Sequence, residues 1–314
     1  MYRRNLFISN FKKNIVFFVK NLLLLCIVLL FCVKIVMPQY TGIFNASLID
    51  KVKRLEAIDG PKIVLIGNSN LAFGMDSQKL ELAFGMPVVN MGLHGGLGNA
   101  FHERMSMLNI CEGDIYILCH TGFSDDGTIF DKTLAWTTIE NHINLWRLMD
   151  LGDIYPMMKE YPIYLKKCLE LFVSRKGNEL PGGIYSRDVF NKYGDVVIER
   201  TSQYTFTSPV NPPSINDITI DRINKLNEKI TEKGAVLLVA GYPIGKGELT
   251  APEEEFVKIQ KILSERLACP VISDYRDYMF DYSLFFDTDL HLTTEGVTLR
   301  TQQLIEDLQR WKEK

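Results

Sequence analysis

Five short apolar runs, each cut off by glycine or a polar turn, limit what this 314-residue chain can become. They are KIVLIG (62–67), MPVVNMG (86–92), GDIYILC (113–119), GAVLLVAGYP (234–243) and CPVISD (269–274). Each is short for a helix and too continuously apolar for a strand with one wet face. Each therefore predicts a strand buried on both faces. Helical stretches lie between them: one starting near Asp76 and Ser77, a loosely amphipathic one over 98–109, then 219–232, 252–268 and a closing 294–313. This alternation predicts an α/β fold, a doubly wound, mostly parallel sheet with helices on both faces, flavodoxin-like. Residues 128–212 break the rhythm. They are rich in Tyr, Met and Trp, and LPGGIYSRDVFNKYGDVVIERTSQYTF reads as loops with room for a hairpin. They are read as an insertion between the third and fourth strands, whose aromatics pack more than they line a cleft.

The N-terminus belongs to another environment. NIVFFVKNLLLLCIVLLFCVKIVMP (14–38) has about the length a bilayer span needs, with Lys20 and Lys34 near its ends where amines snorkel to the headgroups. Arg3, Arg4, Lys12 and Lys13 precede it, which predicts a cytoplasmic N-terminus and an outer C-terminal part. A cleaved signal peptide is the competing reading, but the run is long for one and no small-x-small site follows closely. The expected division is 1–13 cytoplasmic, 14–37 transmembrane, 38–60 a connector with a short helical piece, and 61–314 one folded domain. A net charge of −3 gives no polyanion-binding signature, so no nucleic-acid partner is expected. None of the six cysteines stands in a C-x-x-C pattern; neither zinc nor any other metal or cofactor is expected. Cys119 is expected as a buried free thiol, whereas the four outer cysteines as a group could pair.

In open α/β sheets, ligands bind beyond the carboxyl ends of the strands. The first strand runs out into Gly67-Asn68-Ser69-Asn70, the second into Asn90-Met91-Gly92 and LHGGLGN, the third into Cys119-His120-Thr121-Gly122 and FSDDG. FFDTDLHLTTEG, near the C-terminus, holds His291 between Asp287, Asp289 and the last helix. A serine needs a base to become a nucleophile, and a carboxylate to hold that base's tautomer. Ser69 at a strand-to-helix turn also places backbone N–H groups near a developing oxyanion. Gly92 and the glycines at 95, 96 and 98 can bring others close. His94 and His120 also stand at strand ends and are read as structural.

With these residues in view, the chain resembles the SGNH (GDSL-like) hydrolase superfamily, in its membrane-anchored cell-envelope branch. That branch includes the alginate O-acetylation proteins and the D-alanyl transfer protein of teichoic acid modification. IGNSNLAFGMDS looks like the block that carries the serine, and NMGLHGG like the block whose glycine, Gly92, donates to the oxyanion hole. DTDLHLTTEG looks like the block that carries acid and base. The third block usually supplies Asn in G-x-N-D; GFSDDG has Ser124 there, with Asn68 or Asn70 as substitutes. The usual D-x-x-H is absent. Asp289 gives D-x-H, as in the alginate-type proteins, and is preferred as the acid; Asp287 is the alternative. The resemblance implies Ser69 as nucleophile, His291 as base, and an oxyanion hole of Ser69, Gly92 and Ser124. It also implies a serine acyltransferase or esterase acting on acetyl-type esters of a cell-envelope glycan. A transferase would need a multi-spanning membrane acyltransferase to deliver acyl groups. The rival expectation is a catalytically silent glycan-binding or scaffold subunit.

Overall fold

A computed structural model describes residues 2–140, 142–176, 183–203, 209–247 and 249–314. Four of the five apolar runs form one sheet: β1 (Ile63–Ile66), β2 (Val88–Asn90), β3 (Ile115–Leu118) and β4 (Val236–Val239). Their order is β2-β1-β3-β4, and every pairing is parallel. Alternate side chains enter different cores, as the pleat requires. Val64, Ile66, Val89, Tyr116, Leu118, Leu237 and Val239 join the larger one. Ile63, Leu65, Val88, Ile115, Ile117 and Leu238 join the smaller. Both faces are dry, which is why these runs are apolar at every position.

The helices are α1 (Tyr2–Phe31), α2 (Leu48–Ala57), α3 (Ser69–Ala72), α4 (Ser77–Phe84), α5 (Asn99–Met105), α6 (Lys132–Ile139), α7 (Leu151–Ser174), α8 (Asp217–Thr231), α9 (Glu253–Arg266) and α10 (Thr294–Lys312). Several of their starts carry side-chain caps from Asp, Asn or Thr. Asp76 accepts from Lys79 N, Asp131 from Leu134 N, Asn216 from Thr219 N and Thr293 from Gly296 N. Leu304 and Leu308 of α10 fill the smaller core with Leu71 and Leu80. Two very short strands, β5 (Ile244–Gly245) and β6 (Met279–Phe280), pair in parallel apart from the main sheet.

Residues 11–36 form a helical stretch long and apolar enough to cross a membrane, with none of its most apolar window buried. It ends in a π-helical segment, Cys32–Val36.

Three expectations are corrected. The run 269–274 makes no strand; a single bridge joins Val271 to Val239. Pro270 accepts from Val239 N but has no N–H to return, and Asp274 then caps a 3₁₀ turn that ends the extended chain. Residues 38–60 are no mere connector, since Leu48, Val52 and Leu55 of α2 are buried in the larger core. The 128–212 insertion holds two helices that the sequence reading did not assign, α6 and the 24-residue α7; α7 contains Pro156 and Pro162, which argue against a helix interior. The hairpin shrinks to one antiparallel bridge, Phe190 to Val196; parts of that region lie outside the described residues. All six cysteines are free, and burial pushes the Cys119 thiol up to about 11.

One buried ion pair staples the base of the sheet. Lys62 Nζ meets Asp114 Oδ2 at 2.9 Å with both side chains fully buried. Asp114 also accepts from the backbone N–H of Lys62 (3.0 Å) and of Cys111 (2.8 Å). Asp114→Ala would strand a buried ammonium and two amides. We expect it to cost about 3–5 kcal/mol in urea unfolding; a loss near zero would show that Lys62 finds water instead.

Candidate active site

The turn after β1 is built by its own polar residues. Asn68 caps α3: its Oδ1 accepts from the Asn70 backbone N–H (2.9 Å) and from Asn70 Nδ2 (2.7 Å). Asn70 Nδ2 also donates to the Cys119 carbonyl at the end of β3 (3.1 Å), tying two strand ends together. Arg300, buried on α10, donates to the Asn70 carbonyl at 2.5 Å and to its Oδ1 at 2.7 Å. The last helix therefore holds the turn that presents Ser69.

Ser69 sits at the first position of α3. Its Oγ lies 2.9 Å from His291 Nε2. The other ring nitrogen, Nδ1, lies 2.8 Å from Asp287 Oδ1. Serine, imidazole and carboxylate thus form one continuous hydrogen-bonded chain between residues 222 positions apart. Burial alone would push the Asp287 carboxyl up. Hydrogen bonds from His291 and from the Tyr185 hydroxyl outweigh it and hold Asp287 below the ordinary carboxylate range.

The imidazole is clamped as well as paired. Phe73 stacks on it, centroids 4.1 Å apart at 15°. Tyr185 Oη donates to Asp287 Oδ2 at 2.6 Å and packs its ring against Phe73. Arg200, 4% exposed, donates to the carbonyls of Phe73 (3.1 Å) and Leu292 (3.0 Å), the residues flanking the ring in space and in sequence. Burial lowers Arg200 to about 10. Tyr185 and Arg200 both come from the 128–212 insertion, so that segment completes the site.

The structure brings Ser69 and His291 together and chooses between the two aspartates. Asp287 is the partner. Asp289 is exposed and makes no hydrogen bond or ion pair among the described residues, which corrects the D-x-H preference. A three-residue gap lets the chain curl back: Thr288 Oγ1 accepts from the backbone N–H groups of Leu290 and His291, and this local turn folds Asp287 under the ring.

The expected oxyanion donors are also reassigned. The N–H of Gly92 is spent on Asn90 Oδ1 (2.9 Å). Its lack of a side chain serves packing instead, since a Cβ there would stand 2.7 Å from Ala72 N and 2.9 Å from the Asn68 carbonyl. Ser124 is exposed and bonded to Ser214 at 2.5 Å. Both amide hydrogens of Asn70 are taken. Asn68 remains, with Nδ2 giving one hydrogen to Thr121 Oγ1 at 3.2 Å. Gly95 lies beside it: a Cβ built on Gly95 would be 3.7 Å from Asn68 Nδ2. The backbone N–H groups of Ser69 and Gly95 have no acceptor among the described residues. Together with the second Asn68 hydrogen they make three donors on the same turn and its neighbour.

Of the other histidines, His120 is buried against Glu103 (2.8 Å), which Arg222 neutralises. His94 Nδ1 accepts from Gly96 N (3.0 Å) and so caps the glycine turn.

Comparison of the chain with protein-family models, with curated proteins and with solved structures finds no match.

The choice of acid has a direct spectroscopic test. A proton shared between His291 Nδ1 and a carboxylate gives a strongly downfield NMR signal. Asp289→Asn should leave that signal in place and Asp287→Asn should abolish it; the reverse pattern would restore Asp289 as the partner.

Proposed function

We propose that this chain is a membrane-anchored serine acyltransferase or esterase of the SGNH kind, acting on acyl esters of a cell-envelope glycan outside the cytoplasm. The observation that carries the reading is the Ser69–His291–Asp287 chain, with contacts of 2.9 and 2.8 Å already made in the resting protein. The glycan, the acetyl-type group and the sidedness rest on the sequence resemblance and on the basic residues before the apolar run.

The contacts of the site support the following steps. Ser69 Oγ attacks the ester carbonyl while His291 Nε2 takes its proton, and Asp287 stabilises the resulting imidazolium. The carbonyl oxygen becomes an oxyanion. The N–H groups of Ser69 and Gly95 and the Asn68 amide are the available donors for it. The C–O bond to the leaving alcohol breaks as His291 returns the proton, leaving an acyl ester on Ser69. A hydroxyl of the acceptor, or water, then gives its proton to His291 and attacks the acyl carbon; the bond to Ser69 Oγ breaks as His291 returns the proton to it, which restores the enzyme. Where the donor is membrane-delivered, a multi-spanning acyltransferase is the natural partner; the anchor keeps the site near it.

A group of residues acting as one unit fails together. With 4-nitrophenyl acetate as probe, Ser69→Ala and His291→Ala should each lower the rate by about 10³-fold or more, and the double variant little further. Asn68→Ala should cost on the order of 10²-fold through the oxyanion, and Asp289→Asn almost nothing. A wild-type rate no higher than that of either variant would contradict the reading and favour a glycan-binding subunit with an inert site.

A further inference from the structure

Helix α7 and the membrane-crossing stretch meet in an unusual way. Tyr164 Oη (3.2 Å) and Cys168 Sγ (3.6 Å) donate to the Met37 carbonyl, just beyond the apolar stretch. One turn further along α7, the ring of Phe172 meets Phe31 edge-on, with centroids 6.1 Å apart. The contact moves forward along α7 while it moves backward along the N-terminal helix. The two elements are therefore antiparallel here, and the end of α7 runs back down the span. Phe31 lies five residues short of Val36, the end of the crossing stretch, and so inside it.

The tip that reaches this depth is dressed for it. Leu169 is 48% exposed, Phe172 37% and Val173 73%. Leu169 and Phe172 stand three residues apart, on one face with Phe172 against the span. The helix then stops at Arg175, in the left-handed conformation (φ 57°), followed by Lys176, both exposed. Large exposed apolars ended by two cations suit the boundary between acyl chains and lipid phosphates. No protein group among the described residues covers Val173.

We propose that residues 169–176 form a second membrane contact, inserted into the leaflet that faces the folded domain. Leu169, Phe172 and Val173 enter the acyl–headgroup boundary, and Arg175 and Lys176 meet lipid phosphates. The proposal rests on the reading of 11–36 as a span. Its consequence is positional. A single helix lets a domain swivel, whereas two contacts fix its tilt. Farther back along α7, on the buried stripe that includes Tyr164 and Cys168, the helix is tied to α6 by the Trp136 Nε1 bond to the Met157 carbonyl (2.7 Å). Asp131, the α6 cap, donates its backbone N–H to Gly96 (2.9 Å) beside the candidate oxyanion site. The membrane contact would thus set the height and tilt of the site above the bilayer.

The test places tryptophan reporters in the full chain, reconstituted in mixed neutral and anionic phospholipid vesicles. The lipids are brominated either near the headgroup or near the chain end. Leu24→Trp, mid-span, reports the anchor. Val173→Trp and Leu169→Trp report the tip, two variants guarding against one that misfolds. Leu151→Trp reports the far end of α7, about 32 Å from Phe172. We expect the added emission at 173 and 169 to be quenched mainly by the shallow bromines, that at 24 mainly by the deep ones, and that at 151 by neither. Quenching at 24 without quenching at 169 or 173 would overturn the second contact and point to a protein covering the tip. Equal quenching at 151 would overturn a tip-specific contact in favour of a helix lying flat. No quenching at 24 would remove the span itself, a distinguishable failure.

Discussion

The placement of one imidazole organises this molecule. His291 bridges Ser69, at the end of the first strand, and Asp287, in the last loop, so its position requires almost the whole chain to be folded. Three other contacts hold the ring itself: Phe73 stacks on its face, Tyr185 binds the far oxygen of Asp287, and Arg200 grips the carbonyls on either side. A separate clamp, Arg300 on Asn70, fixes the serine turn from behind. A hydrogen-bonded chain of this kind serves chemistry only if its geometry is kept to within about 0.5 Å, and here each member has a neighbour that limits its motion. Arg200 and Arg300 are both buried without a carboxylate partner in contact. Backbone carbonyls accept from Arg200, the Asn70 carbonyl and side chain accept from Arg300, and burial lowers both guanidinium pKa values. Burying a charge this way is costly, so their presence is best explained by what they hold in place.

Much of the fold was legible in the sequence because buried parallel strands leave a plain mark: a nearly continuous apolar run closed by glycine or a polar turn. Of the four runs that form the sheet, β1 and β3 pair along both edges, and β2 and β4 pair along one. The fifth, at 269–274, carries the same apolar mark but has Pro270 within it, and its backbone can complete only one bridge. Helix α7 was hidden for the opposite reason. Its two prolines and an early glycine count against a helix interior, yet tertiary packing of Met157, Tyr164 and Cys168 sustains it.

The site was legible in part. Ser69 and His291 stand at strand ends and turns, where the fold concentrates function. The choice of acid was not, because spacing along an extended chain favours Asp289, whereas the Thr288 turn decides for Asp287. Tyr185 and Arg200 belong to an irregular insertion with no period to read, and their roles exist only in three dimensions. Gly92 and Gly95 differ only in where their N–H groups point. A carboxamide on the preceding strand, Asn90, takes the first and leaves the second open.

The central claim is that Ser69 is a competent nucleophile, and the most direct test is to trap its acyl ester. The full chain in detergent, and its Ser69→Ala variant, would be incubated with a small activated acetyl ester, quenched in acid and weighed intact. The account predicts one added acetyl group on the wild-type chain, mapping to Ser69 after digestion and missing from the variant. An unmodified wild-type protein that is well folded and consumes none of the ester, or an equal adduct on both proteins, would contradict it.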